Sequence, residues 1–512
     1  MVLVVSLSVV SLALILIIGL LIVHHKKSRK PVKRDIDMSA ISFNNKTLKY
    51  DGNEHEITIT GKLPEGVSVS YRNNKLTEIG STIAIAVFSH NNPNYNEIPN
   101  MSATLTIKGL YRGTSGDFVY QLFENEATIT GYKGCDRDLL IPEYIRGENN
   151  QFHKVTGIGD SAFKGCSGLQ FIEIPEGVTS IGKSSFESCE SLEGIVIPGT
   201  VTSIGENAFR MCRSLRKIKI PEGVTSIEKS MFGGCFGLRF VVIPEGVTNI
   251  GNDAFGSCWS LRSIKIPDSV TSIGNSAFAG CESLESIVIP GGVTSIGNSA
   301  FAFCRSLISI EIPNSVTSIG KSSFERCESL EGIVIPGGVT SIGRCTFDGC
   351  IGLRIVIILC GVTSIGEFAF DGCNSLQSIE IPNSVTSIEW YAFSHCWSLQ
   401  SIEIPNSVTS IGKSAFMDCN SLRCIKIPEG VTSIGEGTFD DCNNLERVYY
   451  EGTEKNWNSI YKYGNVTGIV YFYSETKPTN YGNYWRYDNG KPVVWIKKRQ
   501  AKNKARLNER KK

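Results

Sequence analysis

The sequence predicts a repeat solenoid of short parallel strands, preceded by a small all-β domain and an amino-terminal transmembrane helix. The main observation is that thirteen cysteines, from Cys166 to Cys442, follow one another at a strict 23-residue interval. Each cysteine stands three residues after a phenylalanine and three before a leucine. A fixed period of about 20 to 50 residues is typical of a solenoid, whose units are too small to fold alone and stack into one continuous core.

One repeat indicates how a unit of this length becomes a coil. Leu192, Ile195 and Ile197 follow an L-x-x-I-x-I spacing, which predicts a short strand with alternating inward and outward residues. Pro198 then ends the strand, because proline has no N–H for the ladder. The next pieces, Val-Thr-Ser-Ile-Gly and Ser-x-x-Phe, are expected to form the return path, the second as a turn of helix. Coils spaced about 4.8 Å apart would form a parallel sheet on the order of 60 Å long.

We call the thirteen regularly spaced cysteines the ladder cysteines and predict that they are structural. A small thiol packs well in a buried column, and adjacent Cβ atoms at sheet spacing would lie too far apart for an unstrained disulfide. Metal binding or redox chemistry is the alternative for this column. Four cysteines lie off it: Cys135, Cys345, Cys360 and Cys424.

The repeats resemble the BspA-type, or Treponema-type, leucine-rich repeats. The stretch from Ile266 to Ser283 matches that family's wording, I-P-x-x-V-T-S-I-G-x-x-A-F-x-x-C-x-S, nearly letter for letter. The resemblance covers about residues 117–450, and it implies a leucine-rich-repeat fold with surface adhesion or protein binding, not catalysis. One repeat departs from the pattern: Leu359, followed by Cys360, stands where proline is expected, so this coil should kink or expose an apolar patch.

Residues 1–23 contain no charged side chain, and we predict that they form a membrane anchor. At 1.5 Å per residue this length can cross a hydrocarbon core of about 30 Å. A cleaved signal peptide is the alternative. The linker that follows, 24–40, is basic, and the positive-inside rule would keep it in the cytoplasm. The family resemblance instead favours repeats on the cell surface, which is the orientation we expect.

Residues 41–110 are predicted to form a small β-sandwich. Short alternating runs such as Val67 to Tyr71 and Thr82 to Phe88 are separated by Gly, Asn and Pro turns. The runs Tyr50 to His55 and Leu63 to Val67 resemble the bacterial Ig-like modules of the MBG type. That resemblance implies a stalk that spaces a binding domain away from the cell envelope.

The solenoid, 166–447, is expected to have a cap at each end. Residues 117–165 contain strand patterns that lead into the repeats, and 448–495 form an aromatic-rich segment with Trp457, Trp485 and Trp495. We interpret the second segment as the carboxyl-terminal cap, with carbohydrate binding by its aromatics as the alternative. The tail, 496–512, contains nine basic residues and one acid. It is predicted to be disordered and solvated, or else to bind an anionic polymer.

No feature of the sequence indicates an enzyme, a cofactor or a metal site. The six histidines are scattered, and we interpret His395 as a surface loop residue rather than a ligand. The chain has 51 basic and 50 acidic residues, a balance that argues against nucleic acid as a specific partner.

The predicted binding surface is the outward side of the repeat strands, where the residue seven after each ladder cysteine varies while its neighbours do not. Basic and apolar residues lie in the first half of this column and acidic residues in the second, which suits an extended protein ligand. A merely solvated sheet face is the alternative. The candidate ligand-binding residues are Val196, Lys217, Lys219, Phe240, Val242, Lys265, Glu311, Ile357, Glu380, Glu403 and Lys426.

The sequence as a whole predicts a non-enzymatic, membrane-anchored surface protein that binds a protein on a host or neighbouring cell. Two alternatives are a scaffold on the cytoplasmic face of the membrane and a carbohydrate-binding surface protein.

Overall fold

The computed structural model describes residues 33–50, 52–109, 111–147, 150–462, 468–479 and 482–495. These residues fall into two compact units. The first extends to Arg112 and includes Gln121–Asn125, and the second comprises Gly113–Tyr120 and the chain from Glu126 onward. The described residues include no helix that is both long and apolar enough to span a membrane. The predicted anchor, 1–23, and the basic tail, 496–512, lie outside the described residues.

The first unit is built on a four-stranded sheet in the order β1-β6-β5-β3, with a separate pair, β2-β4. Strands β1 and β6 are parallel, and the other neighbours are antiparallel. Its core includes Ile41, Ile57, Ala86 and Leu105. The predicted all-β character is confirmed, while the Ig-like resemblance stays a prediction. The strands are β1 (Lys46–Lys49), β2 (His55–Glu56), β3 (Val67–Arg72), β4 (Lys75–Leu76), β5 (Gly80–His90) and β6 (Met101–Lys108).

The second unit is the predicted solenoid, and its coils contribute strands to two parallel ladders, except that the coil of Glu380 joins the first ladder through isolated bridges only. The I-x-I strands form the strand face, in which a residue pairs with the residue one repeat later, as Lys217 does with Phe240. The strand-face elements are β10 (Asp138–Leu140), β13 (Phe171–Glu173), β15 (Gly194–Val196), β17 (Lys217–Lys219), β19 (Phe240–Val242), β21 (Ser263–Lys265), β23 (Ser286–Val288), β25 (Ser309–Glu311), β27 (Gly332–Ile335), β29 (Ile355–Ile358), β32 (Ser401–Glu403), β34 (Cys424–Ile427) and β36 (Arg447–Tyr450).

The Ser-Ile pairs of the repeat form the second ladder, which we call the second sheet. Pro198 makes the turn between the two ladders, since its carbonyl accepts a hydrogen bond from the N–H of Val201 at 3.2 Å. The second-sheet elements are β12 (Phe152–Ile158), β14 (Ser180–Ile181), β16 (Ser203–Ile204), β18 (Ser226–Ile227), β20 (Asn249–Ile250), β22 (Ser272–Ile273), β24 (Ser295–Ile296), β26 (Ser318–Ile319), β28 (Ser341–Ile342), β30 (Ser364–Ile365), β31 (Ser387–Ile388), β33 (Ser410–Ile411), β35 (Ser433–Ile434) and β37 (Tyr461–Lys462).

The predicted helical turn in the return path is wrong. Ser184 and Ser188 have φ angles of 53° and 61°, in the left-handed region. The N–H groups of Ser184 and Phe186 therefore leave the local turn and donate to Glu206 and Ala208 of the next coil, at 2.9 and 2.8 Å. An α-helix would keep these donors for its own carbonyls. The return path is thus a third surface on which neighbouring coils hydrogen-bond.

A stack of phenylalanine rings fills the centre of the coils. Phe186 and Phe209 lie 5.5 Å apart with planes 2° from parallel, and the same arrangement runs from Phe163 to Phe439. The ladder cysteines lie beside it, and each thiol after Cys166 donates to a phenylalanine carbonyl of the preceding coil. All thirteen are free thiols. These contacts support the structural interpretation of the column.

Both ends of the solenoid are covered. At the amino-terminal end β9 (Glu126–Tyr132) pairs in parallel with β12, and the Tyr132 ring lies 5.6 Å from Phe163. At the other end β38 (Ile469–Tyr473) pairs in parallel with β36, and Trp485 is fully buried and donates to the Tyr450 carbonyl at 2.9 Å. The remaining elements are β7 (Tyr111–Ser115), β8 (Phe118–Phe123), β11 (Tyr144–Arg146), α1 (Glu454–Ser459), β39 (Tyr484–Asp488) and β40 (Lys491–Val494).

Candidate functional site

The predicted binding residues lie on the outer side of the strand face. Strand alternation points their neighbours into the core, so that Ile218 is 4% exposed between two exposed lysines. Three zones follow one another along the ladder. They are a basic zone from Lys217 to Lys265, an apolar zone around Ile355 and Ile357, and an acidic zone at Glu380 and Glu403. Ten of the eleven predicted residues are exposed: Val196, Lys217, Lys219, Phe240, Val242, Lys265, Glu311, Ile357, Glu380 and Glu403.

In the basic zone, exposed cations alternate with exposed apolar side chains. Lys217 pairs with Phe240, and Lys219 with Val242, on adjacent strands. Phe240 is 61% exposed, which is unusual for a ring that could have been buried. Lys265 differs from the other two lysines, because its ammonium lies 2.6 Å from the Glu245 carboxylate.

A small cavity of about 270 Å³ opens at the edge of the basic zone, between Arg239, Phe240 and Arg262. Ser260 and Ser283 contribute hydroxyl groups to it. Within the described part of the chain, no carboxylate oxygen lies within 4 Å of the Arg239 or Arg262 guanidinium groups, or of Lys217 or Lys219. The cavity therefore combines two unpaired guanidinium groups, two hydroxyls and an aromatic ring. This is a set of groups suited to a carboxylate or another oxyanion.

A stacked group extends the basic zone beyond the strands. The rings of Phe236 and Trp259 lie 4.0 Å apart, 7° from parallel, and the Arg213 guanidinium lies 5.6 Å from the Phe236 ring. Trp259 is 47% exposed. This group was not among the predicted binding residues, although the two rings are separated by one repeat and therefore lie on adjacent coils.

The apolar zone surrounds the repeat without proline. Strands β27 and β29 pair over four residues, and the Leu359 N–H adds a bond to the Ile335 carbonyl at 3.1 Å. Proline could not donate this bond, so the substitution extends the ladder instead of kinking it. Ile355 and Ile357 are 62% and 48% exposed. Of the two expected outcomes, the exposed apolar patch is therefore the one found.

The acidic zone contains Glu380 and Glu403, both exposed, whereas Glu311, which is also exposed, lies between the basic zone and the apolar zone. Lys426, the eleventh predicted residue, does not belong to the open face. Its side chain is only 18% exposed, its ammonium lies 3.4 Å from Glu403, and it donates to the Tyr487 hydroxyl at 3.2 Å. Tyr487, which is 61 residues later in the chain, covers Lys426, and a role of this lysine in ligand binding stays a prediction.

A polar cluster on the return path was also missed. His395 Nδ1 lies 2.8 Å from Asp371 Oδ1 and 2.9 Å from the Ser394 hydroxyl, and Ser394 also contacts Asp371. Serine and aspartate share one ring nitrogen, whereas a nucleophilic triad needs them on opposite nitrogens. Burial, followed by the carboxylates of Asp371 and Glu325, raises the pKa of the nearby Asp348 to about 6. No group of three metal-ligating side chains occurs in the part of the chain that the structure describes.

The repeats match the family model of the BspA type leucine rich repeat region at residues 148–261, 248–363 and 346–465. A leucine-rich repeat protein of Bacteroides ovatus is 31% identical over 71% of this chain and 100% of its own, with a TM-score of 0.59. A leucine rich cell surface protein of Faecalibacterium prausnitzii is 34% identical over 70% of this chain and 99% of its own, with a TM-score of 0.50. No curated protein matches. The chain belongs to the family of BspA-type leucine-rich repeat proteins.

Proposed function

We propose that this chain is a non-enzymatic binding protein whose strand face holds an extended segment of a protein ligand. The observation behind the proposal is the basic zone, where unpaired guanidinium and ammonium groups lie among exposed apolar rings. A solvated sheet face has no need of an exposed Phe240 or of an aromatic stack beside it. Aromatic and arginine side chains dominate the energetics of protein interfaces, which favours a protein as the partner.

The order of the zones defines the ligand. From Lys217 to Glu403 the face spans eight strand spacings, roughly 40 Å. About twelve residues of extended chain cover this distance. The complementary segment has acidic residues opposite the basic zone, apolar residues in the middle and basic residues opposite Glu380 and Glu403.

A peptide tests this order directly. The probe is about twelve residues long, with acidic, apolar and lysine blocks in that order, and the control has the same composition with its charges mixed. We expect the purified full-length protein to bind the patterned peptide at least tenfold more tightly, because only that peptide places opposite charges against both the basic zone and the acidic zone. Equal affinity for both peptides would refute recognition by the order of the zones.

The same proposal places the repeats on the cell surface in an adhesive role, with residues 1–23 as a membrane anchor and the first unit as a stalk. Membership in the family supports a surface location, and so does the description of the F. prausnitzii relative as a cell surface protein. Protease treatment of intact cells should release repeat fragments. Digestion only after lysis would favour a scaffold on the cytoplasmic face instead.

A further inference from the structure

A groove of about 550 Å³ lies on the second sheet, away from the strand face. It crosses three consecutive coils. The groups that line it include the indole of Trp390, the side chains of Glu389, Lys413 and Glu436, and the hydroxyls of Ser410 and Ser433. Its volume falls within the range of about 300 to 1,000 Å³ in which small-molecule sites are found.

Close packing of the backbone keeps the groove open. A Cβ atom on Gly412 would lie 2.5 Å from the Glu389 carbonyl carbon, and one on Gly435 would lie 2.3 Å from the Lys413 nitrogen. No side chain can therefore replace hydrogen at these two positions without moving the neighbouring coil. The floor consists of backbone at Gly412 and Gly435, while Glu389 occupies the equivalent position in the preceding coil, and the side chains one position further along form the walls.

Trp390 is the unusual member of this wall. The twelve equivalent positions in the other coils hold Asp, Lys, Glu, Asn or Arg. The indole is 55% exposed, so the substitution does not serve the core. An exposed tryptophan offers a large flat apolar surface with a hydrogen-bond donor at its edge, and tryptophan is enriched in binding sites for this reason.

The backbone around Trp390 is held rigidly. Its carbonyl accepts a hydrogen bond from the Phe368 N–H at 3.0 Å. Tyr391, the next residue, stacks on Phe368 at 4.8 Å, with planes 3° from parallel. Phe368 and Tyr391 both have a φ of 57°, which is a strained value for an aromatic residue. Most other coils have serine, asparagine or aspartate at this position. The hydrogen bond and the ring stack hold Phe368 and Tyr391 in this strained conformation, and they thereby fix the backbone that carries the indole of Trp390.

The polar groups around the indole indicate the class of ligand. Within the described residues the Ser410 and Ser433 side chains have no hydrogen-bond partner. Lys413 Nζ lies 3.1 Å from Glu436, and Glu389 accepts a hydrogen bond from the Ser387 hydroxyl at 2.9 Å. Two carboxylates against one ammonium disfavour an anion. A purely apolar ligand would leave hydroxyls and charged groups without partners.

We propose that this groove binds a neutral glycan, with one pyranose ring stacked on Trp390 and its neighbour hydrogen-bonded to Ser410 and Ser433. A pyranose has an apolar C–H face and a rim of hydroxyls, which matches one aromatic plane surrounded by donors and acceptors. Three coils extend over about 10 Å, close to the length of a disaccharide. The site is independent of the proposed protein-binding face.

Titration of the full-length protein with lactose, cellobiose and chitobiose tests this site, in a detergent that has no sugar headgroup. We expect at least one disaccharide to bind with a dissociation constant on the order of 1 mM and to quench tryptophan fluorescence. The sugar that binds most tightly identifies the class of glycan: lactose indicates a galactose-terminated glycan, cellobiose a glucan and chitobiose an N-acetylated glycan. Binding of none of them would overturn the proposal.

The decisive variant is Trp390→Ala, which should weaken the binding of that sugar at least tenfold. Trp397→Ala is the matched control, because Trp397 is 49% exposed on the neighbouring return path and does not line the groove. Ser410→Ala combined with Ser433→Ala should also weaken binding. An unchanged affinity in Trp390→Ala would overturn the proposal. The thermal midpoint should not fall, since the indole is exposed.

Discussion

The thiol of Cys235 donates a hydrogen bond to the carbonyl oxygen of Phe209, at 3.1 Å and 26 residues earlier in the chain. This contact joins the two inner columns of the solenoid, because the cysteine of one coil satisfies a carbonyl beside the ring of the preceding coil. Burial raises the pKa of the Cys235 thiol to about 12. The buried ladder cysteines from Cys189 to Cys419 are therefore protonated donors and not reactive thiolates, whereas the hydrogen bond with Cys419 lowers the pKa of the Cys442 thiol.

We predict that thiol reagents distinguish the two kinds of cysteine. In the native protein at pH 8, Cys135 and Cys360 are exposed and should react rapidly, while Cys166, Cys345 and Cys424 react slowly. The eleven buried ladder thiols from Cys189 to Cys419 should react only after denaturation, because burial opposes formation of the thiolate. Mass spectrometry after timed alkylation measures this. Rapid native labelling of Cys258 or Cys281 would contradict the structural role.

The same thiols predict alkaline instability. The folded-state pKa of the thiols from Cys189 to Cys419 lies above 9.0, the value of an unperturbed thiol, so each of them stabilises the fold below pH 9 and that contribution is lost as the pH rises toward 12. Each fully buried thiol should cost about 1.4 kcal/mol per pH unit above 9. Chemical unfolding at pH 7.5, 9 and 10.5 checks this dependence. A free energy of unfolding that is constant up to pH 10.5 would contradict it.

Phe303 tests the conformation of the return path. It has a φ of 61° at a position that nine of the twelve other coils fill with glycine, serine or aspartate. Phe303→Gly should raise the free energy of unfolding by about 1 kcal/mol, because glycine adopts this conformation without strain. In a helical turn the same substitution would lower it by a similar amount. A destabilised Phe303→Gly variant would restore the helical interpretation.

Asp348 should make stability depend on pH in the acidic range. Its folded-state pKa of about 6 lies above 3.8, the value of an unperturbed aspartate. The proton therefore stabilises the fold below about pH 4, and this contribution is lost as the pH rises through 6. Asp348→Asn should raise the thermal midpoint at pH 7.5 and leave it unchanged at pH 4. Asp440→Asn, at the equivalent exposed position, is the control and should change neither value.

Charge reversal tests the basic zone. Arg239→Glu combined with Arg262→Glu should weaken binding of the patterned peptide at least tenfold at low salt, with a smaller difference at 0.5 M salt, where charges are screened. Lys229→Glu combined with Lys321→Glu changes the net charge equally but alters exposed residues outside the strand face. Equal weakening in both double variants would mean that net charge, and not the zone, determines binding.

The strict 23-residue period was sufficient to predict the solenoid, its inner columns and the outward strand positions. Spacing could not reveal the conformation of the return path, because serine at φ 53° in Ser184 leaves no mark that distinguishes it from a helical serine. The contact of Lys426 with Tyr487 could not be predicted from the repeat pattern, because Tyr487 lies outside the repeats. The Phe236–Trp259 stack could have been predicted, because the two rings are one repeat apart. The groove at Trp390 could not, because it depends on how closely the backbones of neighbouring coils approach each other.

Photo-crosslinking tests the central proposal most directly. The patterned peptide, with a photoreactive group in its acidic block, is bound to the full-length protein, irradiated and mapped by mass spectrometry. With the group in the acidic block, we expect crosslinks to strand-face residues between Arg213 and Lys265. When the group is moved to the lysine block, the crosslinked positions should shift toward Glu380 and Glu403. Crosslinks on the second sheet, or the same positions from both blocks, would contradict recognition by the ordered zones.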